Sequence, residues 1–536
     1  MISTRLFRRL SGKASSEAPP RKWEKDVKDD AFGPTSLFSR EPLDYDLITQ
    51  LTHMSAVATS GISRDRLFGG TASLDYSTSK YFRRVHRVAQ RLNYDYSQAC
   101  EVVGDQVKND SVQNLLLHFA TALSAGEAET EFLQRETEVQ LELYGKKYER
   151  DMESLRKWTD AYVALMVSTT LIIVISLVSM MIYPMSPIAL YGMGFLVMMV
   201  TAAGGWIIFT VAPHEVKSHR LRRRSAEQAR MENLGVIIVS LVGPVIVALW
   251  IFVSLAVGFI VASLMLTPMA YLAWIDDKKI TKRDEDLAAF LRALGSVMGA
   301  VGTTVTEGLS RLNRRSLGAM EPHVRRLYVR LKNDISPELT WARLAGETGS
   351  ELVTRCVRIF AEGIRLGGDP ALVGGLAAAF AQKVSLMRSS RALVANTFVF
   401  VVVPMHAALL GILLFVTEVV RVFGGKISEV QGQTIDNKLV AEAGVSNAIL
   451  YSSPDMQMIT ILLMSTIVML TIANAFAPYA ASGGHRFKLF IYASLMMGIS
   501  GVTMLIVPFV VDSLFKSLAE TPVTSGVPAG FIHFLL

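Results

Sequence analysis

The sequence predicts an all-α polytopic membrane protein with about seven transmembrane helices and two homologous helical-bundle domains outside the membrane. Long uncharged runs predict the spans, helical spacing of apolar residues predicts the bundles, and a repeat relates one bundle to the other. Of the 536 residues, 51% are apolar and only 19% are charged, against about 25% charged in typical globular proteins. A net charge of +7 is too small an excess in this chain to indicate nucleic-acid binding. Two cysteines, Cys100 and Cys356, are too few for a disulfide framework or a cysteine-rich metal site.

The chain before the first apolar run divides into a tail and a bundle. Residues 1–45 mix basic and acidic side chains and have no apolar core of a cleavable secretory signal, so we expect a flexible tail. Residues 46–157 are expected to form the first bundle, because Leu47, Leu51, Met54 and Ala58 recur with the spacing of an amphipathic helix.

Seven uncharged runs are each long enough to span a membrane, since about 20 apolar residues cross a hydrocarbon core of ~30 Å. Residues 158–275 hold four of these spans, residues 392–420 hold the fifth, and residues 456–511 hold the sixth and seventh. The runs cover about 161–181, 188–211, 234–255, 257–275, 393–417, 456–481 and 489–511.

A basic loop at 212–233, between the second and third spans, predicts the orientation. Cytoplasmic loops retain Lys and Arg, so we expect a protein of the cytoplasmic membrane with this loop and the N-terminus on the cytoplasmic side. Because the chain changes sides at each span, both bundles are then expected on the cytoplasmic side. The loop 421–455 and the tail 512–536 are expected on the extracytoplasmic side. The loop has two interpretations: a topogenic signal that also binds phospholipid headgroups, which we favour, or a dedicated protein contact. Its basic residues are Lys217, Arg220, Arg222, Arg223, Arg224 and Arg230.

Residues 276–391, the second predicted bundle, repeat the first with a period of about 240 residues. Residues 85–97 read VHRVAQRLNYDYS and residues 324–336 read VRRLYVRLKNDIS, with six identical positions. Three separated stretches in the same order indicate an internal duplication. The same register pairs Asp46-Leu47 with Asp286-Leu287, Gly61 with Gly302, Phe119-Ala120 with Phe360-Ala361 and Gly126 with Gly367.

The duplicated bundle resembles the type II secretion system F domain. In each copy Asp-Leu opens an amphipathic helix, a glycine turn follows, and a later helix ends in aromatic-Ala-x-x-x-x-x-Gly. The resemblance covers about 46–181 and 286–417. F domains build the platform protein of type IV filament machines, and two of them on one chain with additional spans are similar to the archaeal form that serves the archaellum or an adhesive pilus.

The resemblance implies a non-enzymatic platform without cofactors. Such a platform docks a hexameric secretion ATPase on its cytoplasmic domains and couples ATPase motion to the assembly of pilin-like or archaellin-like subunits. Its expected partners are that ATPase, the filament subunits, the phospholipid membrane and a second copy in a homodimer.

Basic residues repeated in both copies are candidates for the ATPase contact, since complementary charge steers docking. The alternative is a solvated helix face whose arginines pair with nearby acids, and the recurrence of the arginines in both copies slightly favours the contact. The candidates are Arg83, Arg84, Arg87 and Arg91 in the first copy and Arg325, Arg326 and Arg330 in the second.

The sequence lacks the patterns of several enzyme classes. It contains no G-x-x-x-x-G-K-[ST] loop for nucleotide phosphates and no H-E-x-x-H zinc site. His406 is the acid or base deepest in an apolar run, two residues after Pro404. We favour a neutral histidine bonded to a carbonyl that Pro404 frees over a functional one. The rival function is a membrane subunit of an ATPase-driven exporter or permease, which would need a polar pathway through the spans.

Overall fold

The computed structural model describes residues 43–180, 187–219, 221, 224–434 and 456–520. Most of the predicted tail 1–45, part of the predicted outer loop 421–455 and part of the tail 512–536 therefore lie outside the described residues. So do Arg220, Arg222 and Arg223.

The described chain consists of helices joined by turns and short irregular segments, and an isolated antiparallel bridge between Ser218 and Ser350 is its only β-type pairing. Among the described residues, seven helices are long and apolar enough to cross a membrane, which confirms the predicted all-α polytopic membrane protein. The helices are α1 (Leu43–Ala58), α2 (Arg64–Ala72), α3 (Ser79–Leu92), α4 (Tyr96–Gly104), α5 (Asp110–Ser124), α6 (Glu129–Met180), α7 (Pro187–Val211), α8 (Ala226–Phe252), α9 (Leu255–Val301), α10 (Val305–Arg311), α11 (Glu321–Lys332), α12 (Pro337–Thr348), α13 (Glu351–Arg365), α14 (Pro370–Thr434), α15 (Met456–Ser482) and α16 (Leu489–Glu520).

The chain divides into two compact units. The bundle unit comprises 43–144, 216–226 and 279–385, and the membrane unit comprises 145–215, 227–278 and 386–520. The unit boundaries fall inside α6, α9 and α14, so these three helices continue from one unit into the other without a break.

Both repeat copies lie in the bundle unit, with equivalent helix orders: α1 to α5 and the start of α6 in one, the end of α9, α10 to α13 and the start of α14 in the other. Gly61 and Gly302 both have left-handed backbones, with φ of 65° and 64°, a conformation that glycine adopts without steric penalty. At equivalent turns Asp46 Oδ2 accepts from Ser77 N at 2.8 Å and Asp286 Oδ2 accepts from Ala319 N at 2.6 Å. The duplication read from the sequence is therefore also present in the turn geometry.

Helix α1 contributes to two hydrophobic cores. Leu47, Leu51 and Met54 are buried in the first-copy core together with aromatic rings of α2, α3 and α5. Tyr45 and Ile48 are buried instead in the second-copy core, which includes residues of α9, α13 and α14. Because opposite faces of α1 are both buried, the two copies share a helix and form a single compact body.

Helices of the membrane unit pack at small residues and through hydrogen bonds. On α9 and α16, Ser263 Oγ donates to Ser494 O at 2.7 Å and Ser494 Oγ donates to Ser263 O at 3.0 Å. A Cβ on Gly501 would lie 2.7 Å from Ile260 of α9, so glycine permits this close approach.

Arg391 of α14 holds the end of α15. It is buried, and its guanidinium donates to Ala480 O at 3.1 Å, to Ala481 O at 3.0 Å and to Pro213 O at 2.6 Å. The last carbonyls of a helix have no partner within the helix, and a cation there interacts favourably with the helix dipole. Arg391 therefore fixes α14, α15 and the segment after α7 to one another.

Candidate functional site

Helix α3 carries a basic face on the first copy. Phe82, Val85 and Ala89 are buried on one side of α3, because apolar residues at this spacing share a helix face. The predicted contact residues Arg83, Arg84, Arg87 and Arg91 are all exposed on the remainder of the helix.

The hydrogen bonds of these arginines leave their charge uncompensated. Arg83 Nε donates to Ala72 O at 3.1 Å and Arg84 Nη2 donates to the amide oxygen of Gln106 at 2.5 Å. Arg87 Nε donates to a carbonyl of its own helix at 3.3 Å. Within the described chain, none of the four arginines forms an ion pair with a carboxylate. The first-copy face therefore presents net positive charge to solvent.

The corresponding arginines of the second copy lie on α11, and two of them meet an acid. Arg326 Nε lies 3.1 Å from Glu347 Oε2, and Arg330 Nη2 donates to Glu347 Oε1. Arg326 also contacts the ring of His323 at 2.9 Å, and Arg325 is exposed. The second-copy face is thus partly neutralised from within the protein.

Gln106 and Glu347 occupy equivalent places in the two copies. The repeat pairs Gly61 with Gly302, Phe119 with Phe360 and Gly126 with Gly367 at a separation of 241 residues, and Gln106 and Glu347 have the same separation (347 − 106). A neutral amide therefore meets the arginines in one copy, and a carboxylate meets them in the other. Sequence reasoning missed this difference because it depends on tertiary contacts between separate segments of the chain.

Residues 216–226 of the basic loop between the second and third spans belong to the bundle unit. Lys217 Nζ donates to Thr281 Oγ1 at 2.7 Å, and its carbonyl accepts from Glu351 N at 3.0 Å. Arg224 is half-buried, whereas Arg230 on α8 is exposed. Of the described basic residues in this loop, only Arg230 is placed as an exposed headgroup contact would be.

His219 anchors the same loop and was not singled out in the sequence. Its side chain is buried, with Nε2 3.0 Å from Gly346 O and Nδ1 accepting from Leu221 N at 3.2 Å. A carbonyl on one side and an N–H on the other fit a neutral ring with the proton on Nε2. Burial is the main cause that lowers the pKa of His219 below its ordinary value, which favours this neutral form.

His406 lies in a hydrogen-bonded network of four membrane helices. Its Nε2 lies 2.9 Å from Ser500 Oγ, and its Nδ1 lies 2.9 Å from Asn474 Nδ2. Tyr162 OH donates to Asn474 Oδ1 at 2.9 Å. The expected bond to a carbonyl freed by Pro404 is replaced by bonds to side chains of α15 and α16, which lie close enough to reach the ring.

No group of three or more His, Cys, Asp or Glu residues in the described ranges could hold a metal ion. Cys100 and Cys356 are both buried as free thiols.

Comparisons with known proteins find archaeal relatives. The chain is 20% identical over 453 residues to the flagella accessory protein J of Methanocaldococcus jannaschii. The aligned residues cover 81% of this chain and 78% of that protein. The chain is 20% identical over 447 residues to the flagella accessory protein J of Methanococcus voltae, covering 81% and 79%. No family model and no solved structure matches. The relatives confirm the resemblance to the archaeal two-domain form that the sequence predicted.

Proposed function

We propose, from the premise that this chain is a multi-pass membrane relative of the archaeal flagella accessory protein J, that it is the integral membrane platform of an archaellum assembly machine. The observation that carries this proposal is the extent of the similarity. A match over 81% of the chain includes parts of both the bundle unit and the membrane unit. The platform acts without catalysing a reaction, and its N-terminus and bundle unit lie in the cytoplasm.

The bundle unit docks a hexameric secretion ATPase, and ATPase motion is coupled to the assembly of archaellin-like subunits. The exposed arginines of α3 support this contact, because they lack carboxylate partners in the described chain. A basic surface attracts an acidic partner over a range set by ionic strength, about 10 Å at 0.1 M salt. The first copy is therefore the stronger candidate for the contact, because Glu347 neutralises part of the positive charge of the second copy.

The test is binding of the full-length detergent-solubilised protein to the secretion ATPase of the same organism, with ATP turnover measured alongside. We expect saturable binding that weakens as salt rises. Charge reversal of Arg83 and Arg87 together should weaken binding roughly tenfold at low salt, since electrostatic steering alone changes association rates by tenfold or more.

Two matched single substitutions distinguish a loss of the charge that binds the ATPase from a general loss of folding. Gln106→Glu places a carboxylate beside Arg84 and should weaken ATPase binding, whereas Glu347→Gln removes a carboxylate from the second copy and should not. Folded variants with unchanged affinity at low salt would contradict the docking proposal. An absence of binding by the wild-type protein would favour the exporter or permease alternative.

A further inference from the structure

An exposed stripe on α9 changes its chemistry along the helix. Leu264, Tyr271 and Trp274 are 66%, 60% and 50% exposed, and Lys278 is also exposed. Their spacing of seven, three and four residues places them on one face of the helix. The stripe therefore runs from an aliphatic residue through two aromatic rings to a cation, all within the membrane unit.

The aromatic and cationic parts of the stripe contact one another. The rings of Tyr271 and Trp274 are stacked, with centroids 6.3 Å apart. Lys278 Nζ lies 5.0 Å from the centroid of Trp274, a favourable cation–π distance. The contact holds the ammonium group directly beyond the indole ring.

The neighbouring carboxylates are engaged elsewhere. Asp276 is buried and accepts from Gln228 at 3.2 Å, and Asp277 lies 3.2 Å from Lys488. Within the described residues Lys278 has no carboxylate partner. Its positive charge is thus available to an anion outside the protein.

The distances along the stripe match one leaflet of a bilayer. Leu264 and Trp274 are ten residues apart, about 15 Å along a helix, and half of a ~30 Å hydrocarbon core is also about 15 Å. Lys278 lies about 6 Å beyond Trp274, close to the thickness of the polar region on each side of the bilayer. The order of aliphatic, aromatic and cationic groups is the order of chain, glycerol and phosphate in a phospholipid.

We propose that Tyr271, Trp274 and Lys278 form a binding site for an anionic phospholipid. The acyl chain lies along the face that includes Leu264, the indole lies at the glycerol level, and Lys278 binds the phosphate. Trp206 and Trp250 are 63% and 56% exposed, but no cation of the described chain lies over either ring. Trp206 and Trp250 therefore serve as internal references, because each is an exposed tryptophan of the membrane unit that has no adjacent cation in the described chain to bind a headgroup.

The test uses the full-length protein in phosphatidylcholine vesicles that contain increasing fractions of phosphatidylglycerol, with either lipid brominated on its acyl chains. The Trp274 signal is the difference in fluorescence between the wild-type protein and Trp274→Phe. Brominated phosphatidylglycerol should quench this signal with a relative binding constant about fivefold above that of brominated phosphatidylcholine, the preference expected from one lysine near the membrane surface. The Trp206 signal, obtained from Trp206→Phe, should show no preference.

Charge variants decide whether Lys278 carries the preference. Lys278→Gln should bring the ratio to about one, and Lys278→Arg should retain it. Lys516→Gln, at an exposed cation near the end of α16, removes the same charge elsewhere and should leave the ratio unchanged. Equal quenching by both lipids, or a preference that survives Lys278→Gln, would overturn the proposal. So would loss of the preference on adding soluble glycerol phosphate, because that result would assign the site to free phosphate.

Discussion

At the scale of single residues, buried ion pairs join the two copies. Arg355 of α13 is buried and donates to Asp46 Oδ1 of α1 at 2.9 Å and to Thr49 Oγ1 at 3.0 Å. Its guanidinium also lies 4.4 Å from the ring centroid of Tyr45. A buried charge that loses its partner is strongly destabilising, so these contacts fix α1 against α13 in one register.

The carboxyl of Glu362 makes the bundle unit sensitive to acid. Burial alone would raise the pKa of Glu362, but the charges and hydrogen bonds of His53 and Arg358 outweigh it and lower the pKa from 4.5 to about 2. A carboxyl with a lowered pKa contributes stability above its unfolded pKa and loses it as pH falls. As the pH falls from 4.5 to 2, we expect the free energy of unfolding of the wild-type protein to decrease by about 3 kcal/mol. The Glu362→Gln variant should not show this decrease.

The measurement is the free energy of denaturant unfolding of the bundle unit as a function of pH, compared between wild type and Glu362→Gln. The control is Glu307→Gln on α10, whose carboxylate forms an exposed pair with Arg311 at 2.9 Å. Exposed pairs of this kind contribute little, so Glu307→Gln should follow the wild-type curve. Parallel curves for Glu362→Gln and wild type would contradict the prediction.

The sequence was sufficient to identify the candidate arginines, but not to predict whether an amide or a carboxylate contacts them. The pattern in residues 85–97 and 324–336 is enough to find basic residues at helical spacing in both copies. The contact of Gln106 with Arg84 depends on how α3 packs against α4 and the turn after it, and the contacts of Glu347 depend on how α11 packs on α12. No local sequence pattern records either contact. The partners of His406, Ser500 and Asn474, come from two other helices for the same reason.

At the scale of elements, Gly483 shows how a helix end fixes its residue type. Its φ of 59° is left-handed, and a Cβ there would overlap the guanidinium of Arg391. Gly483→Ala should lower the stability of the membrane unit by at least ~1–2 kcal/mol from backbone strain and should displace Arg391 from the end of α15.

The check is the thermal unfolding midpoint of the purified protein in detergent. Gly411→Ala in α14 is the matched control, because a Cβ at Gly411 would meet nothing within 4 Å and alanine is the better helix former. We expect Gly411→Ala to unfold at or above the wild-type midpoint and Gly483→Ala below it. Equal midpoints for the two variants would show that Arg391 is not positioned by this turn.

Composition was sufficient to predict the seven spanning helices, but not where the long helices begin. The predicted division at 157 and 158 falls inside α6, which runs from Glu129 to Met180. The change from charged to apolar residues marks where a helix enters lipid, and it carries no signal for a break in the backbone. For the same reason α14 continues through the predicted division at 391 and 392.

At the scale of the whole molecule, the shared helix α1 makes the second copy depend on the first. A fragment of residues 276–391 lacks Tyr45 and Ile48, which are both buried in its core. Fusing residues 43–58 to this fragment should raise its unfolding midpoint measurably. Removing the buried side chains from the fused helix, with Tyr45→Ala and Ile48→Ala, should abolish most of the gain, since large-to-small core substitutions each destabilise by a few kcal/mol.

The same fragments test the alternative of two independent bundles. Circular dichroism during heating gives the midpoint for the fragment alone, the fusion and the doubly substituted fusion. If the fragment alone unfolds at the same temperature as the fusion, α1 is not part of its core and the two copies are independent.

Sharing α1 also imposes an order on biosynthesis. Asp46 and Arg355 are separated by 309 residues, so at about 5–20 residues per second a ribosome completes the partner of α1 roughly 15–60 s after α1 itself. Four spanning helices are made in that interval. During this interval the face of α1 that contacts the second copy stays exposed, with both charged and apolar side chains. The nascent first bundle is therefore vulnerable to aggregation and proteolysis until the second copy has been synthesised.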